Sequence, residues 1–205
     1  MFKDIPSTSV SDALQGKNHM SYEIKPIGDF HLSGPAFTVE IDEGENISVL
    51  EAMYKAKPGD VLVVDGKGWT ENAVAGDFIL NLGKTLGLAG IVIDGVIRDI
   101  KGSLALDYPI FCKGTTTCAS KKTQKGLIGV PIVCGGVTVN PGDYIVGDSD
   151  GVVVVPHSEA SSIREQALEK ISVDEKRENS VGQDVDAARK YIEDFLIKVE
   201  KNIVL

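Results

Sequence analysis

Val61-Leu62-Val63-Val64-Asp65, answered further on by Gly90-Ile91-Val92-Ile93-Asp94-Gly95, decides the fold class. Both runs are short, β-branched and continuously apolar, as buried strands are. Gly66-Lys67-Gly68 follows the first run and reads as a turn. Between the two runs, from Gly76 to Leu88, the apolar spacing is helical, with the helix starting near Asp77. Strand, helix and strand in that order make one β–α–β unit and an α/β fold.

Working outward, Pro6 to Leu14 reads as a short helix, with Ser9 as its cap and Asp12 in the first turn, where the helix dipole favours an acid. Residues 34–41 alternate as a half-exposed strand does, and Ile47 to Lys57 has helical spacing that Lys57-Pro58-Gly59-Asp60 stops. Ile128 to Cys134 and Gly142 to Pro156 read as strands with tight turns. Pro141-Gly142-Asp143 echoes Pro58-Gly59-Asp60, which we read as shared turn chemistry and not as a duplicated domain. From His157 onward the text reads as two helices broken near Ser180-Val181-Gly182. No low-complexity linker divides the chain. The expectation is one domain over residues 1–160, with helices over 161–205 packing on it or on a neighbouring subunit.

The 205 residues, 42% hydrophobic, suffice for one substantial core. Net charge is −9, and the longest basic cluster is only Lys121-Lys122 with Lys125. Nucleic acid is therefore not an expected partner, because its binding rests on cationic neutralisation of phosphates. Cys112, Cys118 and Cys134 show no CxxC spacing and fit a reducing cytoplasm. Met1-Phe2-Lys3-Asp4 opens no signal peptide, and no apolar run approaches the roughly 20 residues that span a bilayer. A soluble cytoplasmic protein is expected.

Three features converge on chemistry. Ala75-Gly76-Asp77-Phe78 lies where a helix begins, so its backbone N–H groups can receive an anion. Strand 90–95 runs on into Val96-Ile97-Arg98-Asp99, and charges just past the carboxyl end of a buried strand lie where α/β folds bind ligands. Arg98 offers a planar fork for a carboxylate or an enolate oxygen. Asp99 is expected to point elsewhere and to suit Mg²⁺ or Mn²⁺ as a hard oxygen ligand. Asp77 could order a water or act as a base. The bland alternatives are a surface ion pair for Arg98–Asp99 and an ordinary first-turn acid for Asp77. Asp65 and Asp94 read as turn acceptors, His157 as a helix-start residue, and His19 and His31 suggest no partner. Gly66-Lys67-Gly68-Trp69-Thr70-Glu71 lacks the third glycine of a dinucleotide loop and is no phosphate loop of the Walker kind, which argues against nucleotide and methyl-donor enzymes.

Asp77, the twenty residues 78–97 and then Arg98-Asp99 resemble the Asp-x20-Arg-Asp signature of class II pyruvate aldolases. These are the 4-hydroxy-4-methyl-2-oxoglutarate / 4-carboxy-4-hydroxy-2-oxoadipate aldolases, which share a fold with the regulator of ribonuclease activity A. Val10-Ser11-Asp12-Ala13-Leu14, Pro58 to Asp65, Gly90 to Gly95 and Pro141 to Pro156 are similar to that family too, so the resemblance covers about residues 5–160. It implies a β/β/α swivelling-domain fold with a C-terminal helical tail, in a homotrimer or homohexamer with sites between subunits. Asp99 matches the metal ligand, and Arg98 the holder of the pyruvyl carboxylate and enolate oxygen. Asp77 matches the acid that orders a water on the metal, and Gly76, Asp77, Phe78 and Ile79 the loop binding the substrate carboxylate. The family also uses an acid from a neighbouring C-terminal helix, for which Glu175 in Ser172–Glu178 is the candidate. The implied activity is retro-aldol cleavage of a 4-hydroxy-2-oxo acid to pyruvate, with oxaloacetate decarboxylation alongside. Two alternatives stay open. One is a metal-dependent lyase or decarboxylase on another keto or sugar acid. The other is a non-enzymatic regulator of a ribonuclease or other protein, a branch whose members lack the acid after the arginine.

Overall fold

The computed structural model describes residues 1–203, with side chains through Glu200. The chain divides into two compact units, Met1–Ala167 and Leu168–Leu205.

In the first unit, strands β1 (Lys25–Pro26), β2 (Leu32–Glu40), β3 (Val61–Ala75), β4 (Gly90–Ile97) and β5 (Ile110–Cys112) alternate with helices α1 (Ser7–Ala13), α2 (Ile47–Lys55), α3 (Asp77–Thr85) and α4 (Ile100–Ala105). The short strands β6 (Gly114–Thr115) and β7 (Leu127–Ile128) follow. Then come the hairpin β8 (Ile132–Cys134) and β9 (Val137–Val139), and strands β10 (Tyr144–Asp148) and β11 (Gly151–Val155). The main sheet runs β1-β5-β4-β3-β2-β10-β11, with β6 paired to β4 and β7 to β2. β2, β3, β4 and β5 are mutually parallel, and β10 closes antiparallel on β2. The two ends of the path approach each other where Lys25 Nζ donates to the Asp150 carbonyl at 2.5 Å.

The sheet buries both faces, which explains why its central strands show no alternation. Leu62, Val64, Ile91 and Ile93 pack on one face with Val49, Met53 and Leu80 of the covering helices. Their neighbours Val61, Val63 and Val92 pack on the other face with Phe111, Ile145 and Val154, and Ile132 and Val139 of the hairpin join them. This is the expected β/β/α layering.

Two stretches depart from their expected local structure. Gly66-Lys67-Gly68 does not end β3. The three residues bulge out of the ladder, and pairing resumes at Trp69 opposite Gly95. Lys67 takes the left-handed conformation (φ 57°) and its N–H returns to Asp65 Oδ1 at 2.9 Å. A Cβ on Gly66 would stand 2.6 Å from the Asp94 carbonyl, so the bulge hugs β4 where a turn would leave it.

Helix α1 begins at Ser7, two residues before Ser9, and Asp12 lies beyond its first turn. The cap is remote. Asp148 of β10 accepts the Ser7 N–H at 2.7 Å and the Ser7 hydroxyl at 2.6 Å. Because Ser7 is buried, Asp148→Ala should cost about 2 kcal/mol by stranding two donors; a urea midpoint equal to wild type would refute this.

The two Pro-Gly-Asp turns are alike in detail. Gly59 (φ 89°) and Gly142 (φ 87°) supply the left-handed residue. Asp60 Oδ2 accepts the Lys57 N–H and Asp143 Oδ2 the Asn140 N–H, both at 2.8 Å.

A 3₁₀ turn at His157–Glu159 leads into α5 (Ala160–Val181), whose Ala160, Ile163 and Ala167 are buried. The break then falls at Gly182 (φ 54°). Asp184 Oδ1 caps α6 (Val185–Ile203), accepting the N–H groups of Asp186 at 2.8 Å and Ala187 at 2.9 Å. Among the described residues no helix is long and apolar enough to cross a membrane.

Candidate active site

The parallel pair β3–β4 brings its carboxyl ends together. Arg98 N–H donates to the Ala75 carbonyl at 3.0 Å, tying the start of the Gly76 turn to the exit of β4. Asp99 then adopts a left-handed backbone (φ 58°, ψ 44°) and opens α4. That conformation is costly for most L-residues but accessible to aspartate. It accompanies a direct pairing of the two side chains, Arg98 Nε to Asp99 Oδ2 at 3.3 Å. The expectation that the two point apart is therefore corrected. Both side chains stay open, at 43% and 46% exposure. An ion pair so exposed contributes at most about 1 kcal/mol, so either group can be given up to a ligand at small cost.

Gly76 makes room for this pair. A Cβ there would overlap Asp99 Oδ2 and stand 3.3 Å from Arg98 Nε and Cγ. Its backbone is extended (φ −113°, ψ 179°), so the demand is for space and not for an unusual conformation. The first bond of α3 runs from Leu80 N–H to the Gly76 carbonyl at 3.1 Å. The amides of Asp77, Phe78 and Ile79 thus lie in the turn that has no backbone acceptor within its own helix. Asp77 Oδ1 takes the Phe78 N–H at 2.7 Å. The Phe78 ring is 71% exposed, and Ile79 packs against the core.

The other Asp77 oxygen lies against Gly102 of α4, where any Cβ would overlap Oδ2. Gly102 is a site residue that the sequence reading missed. Its one signal was a glycine inside a helix, which costs about 1 kcal/mol relative to alanine and so asks for a packing reason.

Arg98, Asp99, Gly76 and Asp77 therefore share one surface: two carboxylates, one guanidinium and the amino end of a nine-residue helix. Such a set can hold an anion and move a proton beside it. Asp99 offers a half-exposed hard oxygen donor, which fits Mg²⁺ or Mn²⁺, ions held by one or two carboxylates while water fills the other positions. Among the described residues no three or more His, Cys, Asp or Glu side chains are grouped so as to hold a metal ion. Glu175 is exposed on α5, in the second unit. Its neighbour Asp174 pairs with Arg177 at 2.8 Å and Lys170 at 3.5 Å.

Asp65 and Asp94 are buried strand residues and act as the expected acceptors, Asp65 Oδ1 taking the Lys67 N–H at 2.9 Å and Asp94 Oδ2 the Gly135 N–H at 2.8 Å. Glu40, Asp65 and Asp94 stand in register across β2, β3 and β4. Lys67 bridges Asp65 at 2.9 Å and Glu40 at 3.1 Å, and Lys113 reaches Asp94 at 2.9 Å and Glu23 at 3.5 Å. Burial pulls both ammonium groups down, but the hydrogen bonds and charges of these carboxylates outweigh it and hold both lysines above their usual range. The row is thus internally paired.

His19, His31 and His157 each meet a backbone carbonyl, of Gly16, Ile5 and Gly142 respectively. Cys112 and Cys134 are buried while Cys118 is exposed, and burial pushes the Cys112 thiol up to about 11.

The RraA-like family model, described as Aldolase/RraA, matches residues 7–154. A protein of Halalkalibacterium halodurans named as a candidate 4-hydroxy-4-methyl-2-oxoglutarate aldolase is 50% identical over 196 residues, 95% of this chain and 93% of its own. The crystal structure of an uncharacterised protein from Pseudomonas syringae pv. tomato superposes with a TM-score of 0.82 at 26% identity, over 94% of this chain and 91% of that one. The structure of Streptomyces coelicolor RraAS2, described as an unusual member of the RNase ES inhibitor RraA protein family, gives a TM-score of 0.77 at 31% identity, over 84% of this chain and 91% of that one. The family match spans β2, β3, β4 and every site residue from Gly76 to Gly102, and on it the chain belongs to the RraA-like Aldolase/RraA family.

Proposed function

We propose that the chain is a divalent-metal-dependent lyase that cleaves a 4-hydroxy-2-oxo acid and releases pyruvate. The observation that carries this reading is the exposed Arg98–Asp99 pair lying against the bare Gly76 backbone, beside Asp77. The similarity to the Halalkalibacterium halodurans protein supports it.

Cleavage beside a 2-oxo acid leaves an enolate, and the site is built of groups that favour such an anion. The amides at the start of α3 receive the substrate carboxylate. Arg98 donates to that carboxylate and to the 2-oxo oxygen, where negative charge grows as the bond breaks. Asp77, directly or through one water, takes the proton from the 4-hydroxyl. The C3–C4 electron pair passes into the enolate as C4 becomes a carbonyl, and the proton then returns to C3. Mg²⁺ or Mn²⁺ held by Asp99 supplies Lewis-acid stabilisation of that enolate when bound. Oxaloacetate reaches the same enolate by losing CO₂, so decarboxylation is expected alongside.

The deciding assay is pyruvate release from 4-carboxy-4-hydroxy-2-oxoadipate, 4-hydroxy-4-methyl-2-oxoglutarate and oxaloacetate, with Mg²⁺ or Mn²⁺ and again with a chelator. Release from at least one, lost with the chelator, supports the lyase; release from none sinks it for these acids. Arg98→Lys should lower kcat/KM by about 100-fold, because a point charge cannot keep the bidentate fork. Unchanged kcat/KM in that variant would remove Arg98 from the role given to it.

The likeness to Streptomyces coelicolor RraAS2 favours a second reading, regulation of a ribonuclease by contact. Slowed RNA cleavage by a ribonuclease of that class, in a chain releasing no pyruvate, would establish it instead.

A further inference from the structure

The last residues of β3 reach the site through a third irregularity, after the register shifts between Asp65 and Trp69 and between Trp69 and Ala73. Ala73 pairs with Val96 and Ala75 with Ile97, so two steps along β3 match one along β4 and Val74 is left over as a bulge. Val74 is buried. A buried carbonyl outside the ladder needs a donor. Asn46, the residue before α2, provides it. Its Nδ2 donates to the Val74 carbonyl at 2.9 Å, and its side chain is fully enclosed.

This bond completes a chain of anchors leading into the site. Asn72 Nδ2 donates to the Ala119 carbonyl at 2.8 Å, and Ala73 N–H to the Cys118 carbonyl at 2.9 Å. Val74 is held by Asn46, Ala75 by Arg98 N–H at 3.0 Å, and Gly76 by Leu80 N–H at 3.1 Å. Glu45, next to Asn46, accepts from both the amide and hydroxyl of Thr123 and from the Gln124 amide, in the connection between β6 and β7 that also carries Cys118 and Ala119.

The other atom of the Asn46 amide, Oδ1, is buried without a hydrogen-bond partner among the described residues. Leaving an acceptor so costs about 1–3 kcal/mol.

We propose that Asn46 is a positioning residue, whose carboxamide pins the Val74 bulge and thereby sets where the Gly76–Ile79 turn stands against Arg98 and Asp99. The inference rests on reading that turn as the seat of the substrate carboxylate. Val74 is two residues ahead of Gly76, and Asn46 touches neither Arg98 nor Asp99 in any bond the structure records, so its influence passes through the bulge.

The test uses the full chain carrying Asn46→Ala, or Asn46→Ser should the alanine variant not accumulate. The turn holds the substrate before and during reaction, so its displacement removes binding common to both states. KM for the oxo acid should rise about 10-fold while kcat changes less than about threefold. Hydrogen–deuterium exchange should quicken at residues 73–80 and at the Arg98 amide, with β10 and β11 unchanged. Unaltered exchange at the turn, equal acceleration throughout the chain, or an unaltered KM would each overturn the proposal. If wild type releases no pyruvate, the lyase reading fails by itself, and the exchange pattern still decides whether Asn46 sets the turn.

Discussion

Asp99→Asn should abolish metal-dependent pyruvate release, lowering kcat/KM by about 1,000-fold or more, while the protein stays folded. Asparagine matches the shape of aspartate and is likewise at ease in the left-handed region that residue 99 occupies (φ 58°). What it removes is the charge. A neutral amide oxygen is a poor substitute for a carboxylate in holding a hard dication. The structural cost is small, because the Arg98–Asp99 pair is nearly half exposed; about 1 kcal/mol is an upper bound, or roughly 2–4 °C in Tm. Activity, Mn²⁺ affinity and melting temperature should be read together. Full turnover in the asparagine variant would strike Asp99 from the site, and a collapse of Tm beyond about 10 °C would mean the residue serves the fold first.

The central β–α–β unit was legible because its strands bury both faces. Val61 and Val63 on one side and Leu62 and Val64 on the other are equally enclosed, so the run carries no alternation and cannot be taken for an edge strand. What the text hid were facts fixed by distant partners. Gly66-Lys67-Gly68 has the composition of a turn, and only the Asp94 carbonyl, close against Gly66, turns it into a bulge. Ser9 looked like the cap of α1, but the acceptor is Asp148, 141 residues on from Ser7, and no local pattern announces it. The site divides in the same way. Arg98 and Asp99 were visible as charges at a buried strand's end. Their pairing goes with a left-handed backbone at residue 99, which sequence did not reveal. Asp65 and Asp94 carry the same residue type at similar strand positions, yet their lysines come from a bulge and from β5's far end.

Gly102→Ala should lower kcat by about 100-fold or more while costing no more than about 2 kcal/mol of stability. The two halves of that expectation come from opposite effects of one methyl group. Within α4, alanine is the better helix former by up to about 1 kcal/mol, so the local backbone gains. Toward α3, the new Cβ would occupy the place of Asp77 Oδ2 and crowd the Asp77 Cβ, 2.9 Å away. The carboxylate must swing out or the helices must part, and either movement takes the proposed base from its position beside Arg98 and Asp99. Substrate capture by the turn amides and Arg98 is touched less, so KM should move by no more than about threefold. Asp77→Asn should reproduce the kcat loss, and the double variant should be little worse than either single one, since both remove the same group. Multiplying losses in the double variant would show that Gly102 acts elsewhere, and an active Gly102→Ala enzyme would dismiss Asp77 as the base.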